Sequence, residues 1–151
     1  MEEKISNGAI AGIIAGILKD IPDAILHNSL KITSITFWDY AGTITLGRHP
    51  HGFFESSYSF FFEVIFSTFL GILFVNFTTH FNRKHYLLWG AFYGGIIWFF
   101  IRSIVVVSRI ESLITMDFLT SLVNSINSII YGIILGFFIV YFEKKKYFSK
   151  E

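Results

Sequence analysis

The chain has no cysteine and little charge, and both shortages narrow what it encodes. Without cysteine there is no disulfide framework, thiolate nucleophile, iron–sulfur cluster or thiolate metal site. Charged residues make up 15% of its 151 positions, against roughly 25% in an average soluble domain. The formal net charge of +1 argues against a nucleic-acid partner. The one basic block, Lys144-Lys145-Lys146, closes an apolar segment and reads as a topology signal. A nucleophile elbow, a phosphate loop, a dinucleotide fingerprint and an HExxH pair are also missing, so the chain is not expected to be an enzyme.

What is present is apolar. Hydrophobic residues make up 53% and aromatic residues 19%, and Phe occurs 19 times, partly in runs such as Phe60-Phe61-Phe62 and Phe99-Phe100. Water does not tolerate that much exposed apolar surface, whereas lipid does. A membrane-crossing helix needs about 20 mostly apolar residues, and four stretches reach that length: 8–30, 57–77, 86–107 and 118–142. The fold class expected is therefore an all-α membrane protein. It is a single transmembrane domain over 1–151, a four-helix transmembrane bundle with a long outer loop between helices 1 and 2.

The first stretch is the weakest span, because Lys19, Asp20 and Asp23 each cost about 2.5 to 3.5 kcal/mol near a helix centre. Either its neighbours hold it in place or Pro22 kinks it into a re-entrant segment. It does not read as a cleaved signal peptide: Met1-Glu2-Glu3-Lys4 is more acidic than basic, and Lys19-Asp20 stands where a cleavage site belongs. Orientation follows from the flanking cations. One side carries Lys4, Arg83, Lys84, Lys144, Lys145, Lys146 and Lys150, the other only Lys31, Arg48 and Arg109, which places both termini and the 78–85 turn in the cytoplasm. The outer loop, 31–52, has Trp38 and Tyr40 suited to the headgroup level and reads as an interfacial loop or short surface helix. No internal repeat is evident.

Gly8, Gly12 and Gly16 form overlapping GxxxG patterns, as do Gly90 with Gly94 and Gly132 with Gly136. Small residues at this spacing let helices approach closely, either within the chain, the favoured reading, or between copies of it. On the first helix Lys19, Asp23 and His27 continue the glycine face at about 100° per residue. Ser56, Ser59, Glu63, Ser67 and Gly71 share a face of the second; Ala91, Gly95, Trp98 and Arg102 of the third; Ser121, Asn124, Ser128 and Gly132 of the fourth. Asp23, Glu63, Arg102, Asn124 and Asn127 then fall on the order of 8 to 14 Å below the outer helix ends.

The candidate binding residues are therefore Lys19, Asp20, Asp23, His27, Glu63, Arg102, Asn124 and Asn127. They point to a polar cavity, open outward, that binds or transports a small polar solute or ion. The competing reading pairs Glu63 with Arg102 and Lys19 with Asp23 simply to hold the helices in register. His49-Pro50-His51, with His27 and Glu55 near in sequence, raises zinc, but an HxH pair without a third ligand at fixed spacing is more commonly a polar turn, so no metal and no cofactor is expected. Asp39 is either a cap or part of a lid.

Gly8-Ala9-Ile10-Ala11-Gly12 leading to Lys19, a long outer loop, and a tight basic turn before Tyr86-Leu87-Leu88-Trp89-Gly90 loosely resemble the YagU-like small inner-membrane proteins, of unknown biochemistry. The resemblance covers helices 1 and 3, implies a bacterial cytoplasmic membrane, and carries over no site residue. The functional expectation is a solute- or ion-binding membrane protein whose partners are the lipid bilayer, its solute and further copies of itself. The alternative is a non-catalytic scaffold assembling through its glycine faces.

Overall fold

The computed structural model describes residues 2–78 and 85–148, and every regular element among them is helical. The elements are α1 (Glu2–Ala24), continued by a π-helical turn (Ile25–Ser29), α2 (Phe37–Leu46), α3 (Gly52–Thr78), α4 (Tyr86–Val107), α5 (Glu111–Ile114) and α6 (Phe118–Phe148). The 78–85 turn, with its His80, Arg83 and Lys84, lies mostly outside the described residues. Three helices are long and apolar enough to cross a membrane: α3, α4 and the Phe118–Lys145 part of α6, with mean hydropathies of 2.0, 1.8 and 1.9.

The first expected span does not join that set by composition. Lys19, Asp20 and Asp23 break its apolar run, and α1 gives way to the π turn at Ile25 instead of running to 30. Pro22 sits inside α1 without ending it. The helix is inverted relative to one on a soluble protein. Gly8, Gly12, Gly16, Lys19, Asp20 and Asp23 are buried, while Ile10, Ile13, Ile17, Ile21 and Ile25 are exposed. An outward isoleucine stripe over an inward charged face is what an apolar solvent selects.

The long helices pack as an arc in the order α3, α1, α6, α4, with α3 and α4 making few contacts across its open side. Two pairs dominate, α1 with α3 and α4 with α6. In the first, a Cβ added at Gly8 would meet the Gly71 carbonyl oxygen at 2.8 Å, and one at Gly12 the Ser67 carbonyl oxygen at 2.5 Å. In the second, a Cβ at Gly90 would collide with the Gly132 carbonyl and one at Gly94 with that of Ser128. The glycine faces thus make contacts inside the chain, in one register used twice. The α4 interface is carried by Gly90, Gly94 and Trp98, one position round from the expected Ala91 and Gly95, which are only half-buried.

The outer loop departs most from expectation. Asp39 accepts from both the amide and the hydroxyl of Thr36, at 2.8 Å each, which caps the start of α2. Gly47, with φ at 72°, closes its other end. This helix is folded inward, not laid on the surface. Phe37, Asp39, Tyr40 and Thr43 are buried, and Gly42 packs on the Ser59 side chain of α3. Tyr40, expected among headgroups, is 4% exposed. Its ring and that of Phe37 lie 5.6 and 5.8 Å from the Trp98 ring, forming an aromatic plug between α2 and α4.

Candidate functional site

Lys19 stands at the centre of the buried polar residues. It faces inward because Gly12 and Gly16, on the same side of α1, draw that face against α3. Its ammonium reaches Asp20 Oδ1 at 2.5 Å and Glu63 Oε1 at 2.7 Å, and lies 4.1 Å from the centre of the Phe37 ring. Ser67, one turn along α3 from Glu63, donates to Oε1 at 2.7 Å. Asp23 is fully buried one turn along α1 from Lys19, and its Oδ2 accepts the Phe37 amide at 2.8 Å. That bond ties the start of α2 to the C-terminal end of α1. One ammonium therefore serves two carboxylates, with a third nearby. The Asp20 and Glu63 carboxyls also hydrogen-bond to each other, whereas Asp23 Oδ1 has no hydrogen-bond partner among the described residues. A buried oxygen in that condition is expensive.

Of the residues expected to converge, Lys19, Asp20, Asp23 and Glu63 do so. The pairings differ from those expected. Glu63 is bound by Lys19 and not by Arg102, while Lys19 takes its neighbour Asp20 and not Asp23. Arg102 donates instead to the carbonyls of Leu113 and Ile114, at 2.5 and 2.9 Å, and so fastens α5 across the end of α4. Asn124 is buried beside Met116, which also receives the Tyr40 hydroxyl at 3.4 Å. Asn127 is buried with its amide nitrogen lacking an acceptor among the described residues. The His27 ring donates from Nδ1 to the Thr33 carbonyl at 2.8 Å, which stitches the π turn to the strap that follows.

His49 and His51 stack edge to face, 5.7 Å between ring centres. Glu55 is taken by Arg48 at 2.8 and 2.5 Å and by the His51 amide at 2.7 Å. No group of three His, Cys, Asp or Glu side chains with metal-holding geometry occurs among the described residues.

A cavity of about 510 Å³ lies on the open side of the arc, between α3 and α4 and beneath α2, and reaches Lys19 and Glu63. Tyr131 lines the cavity and donates to the Ser67 carbonyl at 2.7 Å, and Tyr93 donates to the Leu70 carbonyl at 2.9 Å. Compared with protein-family models, with curated proteins and with solved structures, the chain matches none. The site must be read from its own geometry. Its walls are not the polar ones expected from sequence. Phe37, Tyr40, Phe62, Phe66 and Trp98 dominate, and the Lys19–Glu63 pair is the charged spot. The sequence reading missed Phe37 and Tyr40 as site residues. The available signal was Thr36-x-x-Asp39, a capping pattern that marks a helix start inside the presumed loop.

Proposed function

We propose that this chain is a four-span membrane protein, both termini cytoplasmic, that binds and passes a small solute at the Lys19–Asp20–Glu63 cluster. One observation carries the reading: a cavity between the two helix pairs reaches Lys19 and Glu63, members of a buried charged cluster. The placement of α1 supports the fourth span, since its charges point inward and its isoleucines outward. The doubled register supports transport in particular. Two similar helix pairs run the same way, with the cavity between them and the cluster, held within the first pair, at its edge, and repeat interfaces near mid-membrane are where transporters commonly hold substrate and coupling ions. The scaffold alternative draws less support, because the glycine faces it relies on are engaged within the chain.

The absence of cysteine gives a clean background for the test. Ser128→Cys places a thiol on the inner wall and Thr45→Cys one under the roof. Both are expected to react with a small thiosulfonate reagent in intact membranes, and added solute should protect Ser128→Cys. A Ser128→Cys protein that stays unreactive while folded would mean a sealed cluster and defeat the binding reading. Reporter fusions at Lys84 and Lys150 should report cytoplasm, and one at Arg48 the outer side.

A further inference from the structure

The buried cluster does not balance its hydrogen bonds with side-chain N–H groups alone. Lys19, Asp20 and Glu63 are 4, 4 and 5% exposed, and Lys19 is the one cation in contact with either carboxyl among the described residues. Its ammonium holds Asp20 Oδ1 at 2.5 Å and Glu63 Oε1 at 2.7 Å, which sets the two carboxyls side by side. They also hydrogen-bond to each other. Carboxylate oxygens only accept, so that bond needs a hydrogen on one of the two groups. No N–H group reaches Asp20 Oδ2 or Glu63 Oε2 among the described residues to stand in for it.

The groups facing the pair from the neighbouring elements do not supply the missing charge. On α1, Asp23 accepts the Phe37 amide, and His27 of the π turn lies beside Asp23 with its ring bonded to the Thr33 carbonyl. On α2, Asp39 caps Thr36 and the Tyr40 hydroxyl points to Met116. On α3, Ser67 donates to Glu63 Oε1, the oxygen that Lys19 already holds. On α4, Arg102 is taken by the carbonyls of Leu113 and Ile114, and on α6 the Tyr131 hydroxyl donates to the Ser67 carbonyl. With both carboxyls ionised, Lys19, Asp20 and Glu63 would carry a net negative charge away from water and beside Asp23. One proton makes the three neutral, which burial and the contact between like groups both favour.

We propose that Asp20 and Glu63 form a proton-binding site, sharing one proton at neutral pH so that the Lys19 cluster sits in the membrane without net charge. The proton belongs to the pair and not to either residue. The site stands without the solute-binding reading. Its consequence for that reading is that the ion available to couple to solute movement is H+, since membrane proton relays are built from such carboxyls.

Infrared spectroscopy of the full chain in lipid nanodiscs is the test. At neutral pH the wild type should show the C=O stretch of a buried protonated carboxyl, sensitive to exchange into D2O. Asp20→Asn and Glu63→Gln should each remove it, because either leaves Lys19 facing a single carboxylate. Asp20→Asn serves if Glu63→Gln does not fold, since its amide can donate to Glu63 in place of the acid. Asp23→Asn and Asp39→Asn should leave the band in place. A wild-type spectrum without the band would overturn the proposal, as would a band that survives in the pair variants or is lost with Asp23→Asn or Asp39→Asn instead. Reactivity of Ser128→Cys reads the cavity and not the proton, so either test can fail while the other reading stands.

Discussion

The two helix pairs use the same backbone contacts for different ends. In α1 and α3, Gly8 and Gly12 meet Gly71 and Ser67; in α4 and α6, Gly90 and Gly94 meet Gly132 and Ser128. Both pairs are antiparallel, and both use a Ser-x-x-x-Gly face as the receiving surface. Four residues farther out the likeness stops. Gly16 and Glu63 occupy that level in the first pair, and Trp98 and Asn124 in the second. The glycine register builds the closed half of the bundle, and the next turn is free to differ. One pair uses it for a charged cluster and the other for an aromatic wall, and the cavity forms where the two face each other.

The largest test of that contrast compares the equivalent positions. Glu63→Ala leaves a buried ammonium with a single carboxylate and is expected to cost about 3 to 5 kcal/mol. Asn124→Ala removes a buried amide that meets the Met116 thioether and the Tyr40 hydroxyl, and should cost about 1 to 3 kcal/mol. Reversible unfolding in bicelles, or steric trapping, measures both. Equal losses would mean that the charged level is only packing and that the two pairs do not differ in kind.

Much of this architecture was legible in sequence, for reasons that also explain the rest. The helix Tyr86–Val107 coincides with its expected span because nothing charged interrupts it before Arg102. The inward face of α1 was legible because Gly8, Gly12, Gly16 and Lys19 fall on one side of a 3.6-residue period. Partner choice was not. Glu63 lies within reach of either Lys19 or Arg102 by depth alone, and only the tertiary path of α5 gives Arg102 two carbonyls to bind. The doubled register escaped notice because three small residues and one serine carry it in each half, while α2 sits in the connection of one pair and α5 in that of the other. The inward turn of α2 rests on long-range bonds, Phe37 amide to Asp23 and Tyr40 hydroxyl to Met116 among them, which no local pattern encodes.

The next effect isolates the shared register. At Gly94 an added Cβ would collide with the Ser128 carbonyl, so Gly94→Ala must push α4 from α6 and should cost about 1 to 3 kcal/mol. Gly95 is the internal control. A Cβ there meets only Ile129, at 3.8 Å, so Gly95→Ala should be neutral or stabilising by up to about 1 kcal/mol through helix propensity. Gly12→Ala, facing Ser67 at 2.5 Å, should resemble Gly94→Ala. If it resembled Gly95→Ala, the two registers would not be energetically equivalent.

The smallest effect is at the start of α6, where the pairs are tied together outside the spans. Asp117 accepts the Thr120 amide at 2.9 Å, the Thr120 hydroxyl at 2.6 Å and the Ser34 hydroxyl at 2.9 Å, so it caps α6 and holds the strap that leads into α2. These donors favour the ionised carboxylate and hold its pKa at about 2, below the ordinary 3.8. A depressed folded-state pKa adds stability above pH 3.8 that is lost as pH falls from there through 2. The amide protection factor of Thr120 should therefore drop across that window, with little change in the glycine-packed cores of either pair. Asp117→Asn should flatten the pH dependence, because an amide keeps an acceptor but no longer titrates. A Thr120 protection factor that stays level down to pH 2 in the wild-type chain would show that the strap is held by α2 and the aromatic plug alone.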